Sequence, residues 1–297
     1  MSRPAARSRI QVGRTTVTYL PDGHAWLNPA VFLPSSVPSG WAAHDAFLDE
    51  RGWFPVSIGS FLIRTGDRNV LVDLGLGAAD FTLPGAAEFH GGGLLGALAA
   101  EGLTPEDVDT VIYTHLHHDH VGWTTNVPPS PDGTSGPVTG LTFPAARHLV
   151  SEREWAHWSG TNDPAGPDPL AVQRPLAEVI GFFGDRDVIA PGVRILATPG
   201  HTPGHSSVVV TDPAEEDSRR VVVLGDVMHC QVQITESHWT FAFDVDPAEG
   251  VATREQLLKE IEDDRTILAG GHFAGQVFGR VLPPTMRRVW AAGEATG

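Results

Sequence analysis

Five side chains able to bind a transition metal stand within six positions: His115, His117, His118, Asp119 and His120, in Thr114-His115-Leu116-His117-His118-Asp119-His120. Neutral imidazole nitrogen and carboxylate oxygen suit Zn²⁺ and its first-row neighbours. Three later segments end in the same kinds of donor. They are Thr198-Pro199-Gly200-His201, with His205 four residues on, then Leu224-Gly225-Asp226, then Gly270-Gly271-His272. A donor set of this kind predicts a metal centre that activates water, with no serine or cysteine nucleophile required. The one cysteine, Cys230, reads as a small buried filler.

Taken in order, these segments resemble the metallo-β-lactamase-fold hydrolases. The match is carried by His115-x-His117-x-Asp119-His120, Thr198-Pro199-Gly200-His201, Leu224-Gly225-Asp226 and Gly270-Gly271-His272. Asp73, in Val70-Leu71-Val72-Asp73-Leu74-Gly75, matches an aspartate that precedes them in the family. The resemblance spans most of the chain. It implies a four-layer αββα sandwich of two mixed β-sheets flanked by helices, with the site along one edge; composition alone supports only α/β. It implies two Zn²⁺ ions, with Mn, Fe or Co able to fill the same donors. His115, His117 and His201 would hold the first metal, Asp119, His120 and His272 the second, and Asp226 would bridge them. Asp73 and His205 would support the ligands from behind. The implied reaction is hydrolysis by a metal-bridging hydroxide, with Asp119 aiming it.

The branch is read from the position three residues after the bridging aspartate. The dinuclear lactonases carry a tyrosine there; here it is His229. Gly225-Asp226-Val227-Met228-His229, together with Phe241-Ala242-Phe243-Asp244, resembles the methyl-parathion-hydrolase-like branch. That resemblance implies a neutral ester, lactone or phosphotriester as substrate and a catalytic role for His229. Trp123 and Phe273, next to the ligand motifs, are expected to line the substrate pocket. The alternatives are a glyoxalase-II-type thioesterase, a β-lactamase-like member and a nuclease. Against them stand the lack of a basic cluster near the ligands, the atypical bridging aspartate for a β-lactamase, and the lack of a basic track for nucleic acid.

These donors need rigid elements beneath them. Thr110-Val111-Ile112-Tyr113 is β-branched and aromatic and predicts a buried strand delivering His115. Residues 10–20 alternate as a strand or hairpin, and 56–64 and 69–73 as two strands around a turn. Residues 193–197, 207–211, 220–224 and 266–269 predict the strands before and between the later ligands. Helices are predicted over 94–101, 152–158 and 248–261; Thr104-Pro105 starts a further short one. Trp155 and Trp158 share a helical face and read as core. Residues 21–52 read as a long surface excursion, in which Trp26, Phe32 and Trp41 could cap a pocket. Residues 124–140, with Pro128-Pro129-Ser130-Pro131-Asp132-Gly133, read as a loop.

The chain has 297 residues, 36 acidic against 20 basic, for a net charge of −16. That balance gives no electrostatic footprint for nucleic acid or an anionic membrane. A small-molecule substrate is expected instead. A single cysteine permits no intrachain disulfide, and no run of residues is apolar enough for a membrane span. Met1 to Arg9 has no apolar segment behind its arginines. These points together predict a cytoplasmic protein. Residues 1–9 are expected as a mobile arm, or as an arm that packs on a partner in a homodimer, and 10–297 as one hydrolase domain.

Overall fold

Short apolar runs dominate the architecture because their alternate side chains serve two different cores. Val70 and Val72 face one buried cluster and Leu71 another. Val208 and Val210 likewise share a core that Val209 turns away from. A strand buried on both faces needs this near-continuous hydrophobicity.

The computed structural model of the chain describes residues 2–128, 136–214, 219–282 and 287–293. Among them the strands form two mixed sheets. The first contains β1 (Ser8–Val12), β2 (Thr15–Leu27), β3 (Phe54–Thr65), β4 (Arg68–Val72), β5 (Asp80–Leu83), β6 (Ala87–His90), β7 (Thr110–Ile112), β8 (Arg147–Ser151) and β9 (Ile180–Phe183). Its order is β5-β6-β2-β3-β4-β7-β8-β9, with β1 paired to β2. The second contains β10 (Val188–Ala190), β11 (Val193–Ala197), β12 (Ser206–Thr211), β13 (Arg220–Val223), β14 (Thr266–Ala269), β15 (Phe278–Leu282) and β16 (Val289–Ala292), in chain order.

The inner faces of the two sheets meet in a core that includes Val17, Tyr19, Ile63, Val72, Ile195, Val208 and Val223. The outer face of the first sheet is covered by Leu94–Ala99, Trp158 and the segment around Leu176. The helix Pro247–Glu260 covers the second through Leu257 and Leu258. This is the expected αββα sandwich.

The chain departs from expectation in three places. β2 does not end at Leu20 but runs on to Leu27, paired with both β3 and β6. Pro21 has no N–H to give the ladder, and the register slips between Pro21 and Gly23. Beyond it, residues 28–52 hold short helical turns over Pro29–Phe32, Pro38–Trp41 and Asp45–Phe47. Trp41 is buried against Phe54 and Trp239 in a satellite core. Second, the boundary expected after residue 9 is corrected. Ser8 and Arg9 belong to β1, the Ala5 N–H donates to Ser57 Oγ (2.8 Å), and the Gly275 N–H donates to Arg3 O (2.6 Å). Arg7 and Arg9 both pair with Glu101. Pairing of β1 with β2 and these polar anchors hold residues 3–9 on the domain. Third, the short strands β5, β6, β9, β10, β15 and β16, at or next to the sheet edges, stand where no strand was predicted. The segment Pro129–Gly133 lies outside the described residues. No described helix is long and apolar enough to cross a membrane.

Candidate metal centre

The four donor segments, and Asp73 behind them, all follow carboxyl ends of strands. β4 leads to Asp73, β7 to His115, β11 to His201, β13 to Asp226 and β14 to His272. β4 runs parallel to β7 and β13 to β14, while β11 points the same way across β12. Both sheets therefore open their strand ends on one edge, and the loops there converge.

The imidazoles meet nitrogen to nitrogen. His117 Nδ1 lies 3.1 Å from His115 Nε2 and 2.9 Å from His201 Nε2. His120 Nε2 and His272 Nε2 are 3.3 Å apart. Asp226 stands between the two groups. Its Oδ2 is 3.4 Å from His201 Nε2 and 3.7 Å from His115 Nε2. Its Oδ1 is 3.2 Å from His120 Nε2 and 3.1 Å from His272 Nε2. Asp119 approaches only the second group, with Oδ2 3.4 Å from His272 Nε2 and Oδ1 3.7 Å from His120 Nε2.

The outer nitrogen of four of these five rings is already engaged. His120 Nδ1 donates to Asp73 Oδ2 (2.9 Å), His201 Nδ1 to Asp244 Oδ1 (2.8 Å) and His272 Nδ1 to the Ser57 carbonyl (2.8 Å). Thr114 Oγ1 donates to Asp73 Oδ2, so it accepts from His115 Nδ1 (3.0 Å). An N–H fixed outward leaves a lone pair inward. The inner nitrogens of these four rings are therefore the ones left to face the centre, where they meet His117 Nδ1 and one another at hydrogen-bond distance. Asp226 Oδ1 is buried beside them without a hydrogen-bond partner. This donor set fits divalent cations of the zinc type.

Burial and the carboxylates act in opposite directions on these imidazoles. Burial alone favours neutral imidazole, yet Asp226, Asp73 and Asp119 outweigh it and hold His120 well above its usual range. His272 is lifted against burial to about 9, chiefly by Asp226. The carboxylates thus draw positive charge into the centre. His115 and His117 are held well below by burial, with the surrounding imidazoles adding to it.

Asp73 and His205 stand behind the donors. Asp73 has a left-handed backbone (φ 61°) and also accepts from the Thr114 N–H (2.8 Å). His205 Nδ1 donates to the Thr198 carbonyl (2.9 Å), and its Nε2 accepts from the Asp226 N–H (2.8 Å). Burial holds His205 near pKa 3, which keeps that acceptor free. Gly225 has φ 57°, and a Cβ there would lie 2.5 Å from His205 Nε2; only glycine lets the two loops approach so closely.

The donors open into a cleft of about 960 Å³, its mouth included. Leu27, Phe32, Phe81, Leu83, Phe89, Phe241 and Phe243 give it apolar walls; His118, Asp119, Asp226, His229 and His272 give it a polar floor. Among the described residues no lysine or arginine lines it. His229 is buried, lies flat on Phe241 (3.5 Å, 9°) and has Nε2 3.2 Å from Asp226 Oδ2. Neither of its ring nitrogens has a hydrogen-bond partner. Burial brings it to about pKa 4, against the pull of Asp226.

Two expected pocket residues point elsewhere. Trp123 donates from Nε1 to Asp22 Oδ1 (2.7 Å) and packs on the outer core of the first sheet. Phe273 is fully buried against Trp290 behind the second sheet. Both are set by the turns they sit in: three residues past His120 and one past His272, the chain has already reversed. Cys230 is buried, and its thiol is pushed up to about 11 by burial, so it supplies no nucleophile. Asp244, Asp22, Glu154 and the Phe81/Phe89 pair (4.7 Å, 17°) were not expected at the site. Only Asp244 left a trace, in the segment that resembled a family branch.

The sequence profile of the metallo-β-lactamase superfamily matches residues 53–272. The chain belongs to this superfamily. It is 29% identical over 241 residues to metallo-β-lactamase domain-containing protein 1 of Mus musculus, covering 80% of this chain and 72% of that one. It is 26% identical over 227 residues to an N-acyl homoserine lactonase of Bacillus thuringiensis, covering 71% and 79%. Among solved structures, a dizinc quorum-quenching lactonase bound to its product shares the fold with a TM-score of 0.78 at 20% identity, over 97% of this chain and 98% of that one. As a member of the superfamily, the protein is a metallo-hydrolase.

Proposed function

We propose that the protein is a dinuclear, zinc-dependent hydrolase of neutral, apolar-bodied esters and lactones, with phosphotriesters as secondary substrates. The observation that carries this reading is the pairing of a metal-donor floor with an aromatic and aliphatic cleft that lacks a cationic wall residue. An anionic thioester or nucleic acid finds no counter-charge there. An aryl or acyl body finds burial worth roughly 25 cal/mol per Å² of apolar surface. Similarity to the Bacillus lactonase supports the lactone arm. His229, in place of the lactonases' tyrosine, supports the aryl-ester arm and the methyl-parathion-hydrolase-like branch.

His115, His117 and His201 would hold one cation, Asp119, His120 and His272 the other, with Asp226 shared. Bound divalent cations supply Lewis acidity and bring the pKa of water toward neutrality. Asp119, partly open to the cleft, accepts a proton from the attacking water and orients it. His229, neutral and without a partner, donates a hydrogen bond to the substrate oxygen while Phe241 fixes its plane. Phe32, Phe81 and Phe89 exclude water from the body of the substrate.

A hydrolysis panel of acyl lactones, aryl esters, phosphotriesters, coenzyme A thioesters and phosphodiesters tests the reading on metal-loaded protein. Lactones or aryl esters should lead. A coenzyme A thioester or phosphodiester leading by orders of magnitude would overturn it.

A further inference from the structure

Glu154 lies in the first turn of the helix Glu152–Trp158, outside the donor set, and its carboxylate is completely buried. Four donors converge on it. Oε1 accepts from the Leu116 N–H (3.0 Å) and from Trp158 Nε1 (2.7 Å). Oε2 accepts from Thr202 Oγ1 (2.6 Å) and from the Gly204 N–H (3.1 Å). Leu116 sits between His115 and His117; Thr202 and Gly204 follow His201. One carboxylate therefore ties together the two turns whose three imidazoles meet at His117 Nδ1.

We propose that Glu154 is the positioning residue of the His115–His117–His201 site. This inference rests on the dinuclear reading above. The Trp158 ring, fixed by its bond to Glu154, packs edge-on against His117 (5.4 Å, 68°) and sets that imidazole's tilt. A Cβ on Gly204 would come within 2.2 Å of the Glu154 nitrogen, so the His201 turn lies directly on the helix start. The other donor group owes nothing to Glu154. His120 is held by Asp73 and His272 by the Ser57 carbonyl. Loss of the Glu154 carboxylate should loosen one metal site and spare its neighbour.

The test is Zn²⁺ titration of the metal-free full chain against a competing chelator, with circular dichroism monitoring the fold. His201→Ala identifies which binding step belongs to the site in question. Glu154→Gln turns one acceptor into an amide that faces N–H donors. It should weaken that step by about 10- to 100-fold, the usual cost of losing a partner behind a metal ligand, and leave the other within twofold. Thr202→Val removes one donor only and should weaken the same step to a smaller degree. It decides the question if Glu154→Gln fails to fold. Equal weakening of both steps, or no change in either, would overturn the proposal in whichever variant is folded. A wild-type chain that takes up no metal would overturn the dinuclear reading as well. Two normal steps in the wild type with an unaltered Glu154→Gln would overturn this inference alone.

Discussion

Asp226 reaches both imidazole groups because of a neutral histidine behind it. His205 keeps Nε2 as an acceptor for the Asp226 N–H, and Gly225 lets the rings and backbone meet. Asp119 and His229 are the two remaining polar groups that the account places on the substrate. Asp119→Asn keeps the size of the side chain and removes its basicity. Turnover should fall about 10²- to 10⁴-fold, the range for losing a general base, with an unchanged circular dichroism spectrum. Near-normal turnover at saturating metal would contradict the role. His229→Ala should lower turnover while metal content stays at the wild-type level; loss of metal would make His229 a ligand instead. At this scale the donors were legible because H-x-H-x-D-H fixes residue type and spacing together. Their partners were not. Asp244 is 43 residues from His201 and Asp22 is 101 from Trp123, and a lone carboxylate in sequence carries no sign of what it will meet.

The elements bring those partners together through buried polar links between sheet and loops. His148 on β8 is one, remote from the donors. Its Nε2 donates to the Phe143 carbonyl (3.1 Å) and its Nδ1 accepts from Tyr113 Oη (3.0 Å). Burial lowers its pKa below 6.5, so it stays neutral in the fold where the unfolded chain takes up a proton. Its contribution is complete above pH 6.5 and declines as the pH falls below that value. His148→Gln should therefore cost more stability at pH 8 than at pH 5 in denaturant unfolding. An equal or larger cost at pH 5 would contradict the assignment. The central strands were legible from their β-branched runs. The short strands β5, β6, β9, β10, β15 and β16 at and next to the sheet edges, of three to five residues each, were not, since so short a segment shows no period. β5 and β6 matter most, because Phe81 and Phe89 come from them.

The whole molecule puts a carboxylate-rich centre inside a chain of net charge −16. Negative charge around an apolar cleft disfavours anionic substrates at a distance as well as at contact. The sandwich and its edge site were readable from the donor motifs, because those motifs already occupy the ends of the strands. The side walls were not, because adjacency to a ligand does not fix which way a turn throws a side chain, as Trp123 and Phe273 demonstrate. The proposed chemistry is that of a two-cation centre acting on neutral, apolar substrates. Stepwise reloading of the metal-free chain with Zn²⁺, followed by turnover of an acyl lactone or aryl ester at each step, addresses it most directly. Turnover should rise to a plateau at two equivalents per chain. A plateau at one equivalent, or turnover that does not depend on metal, would contradict it.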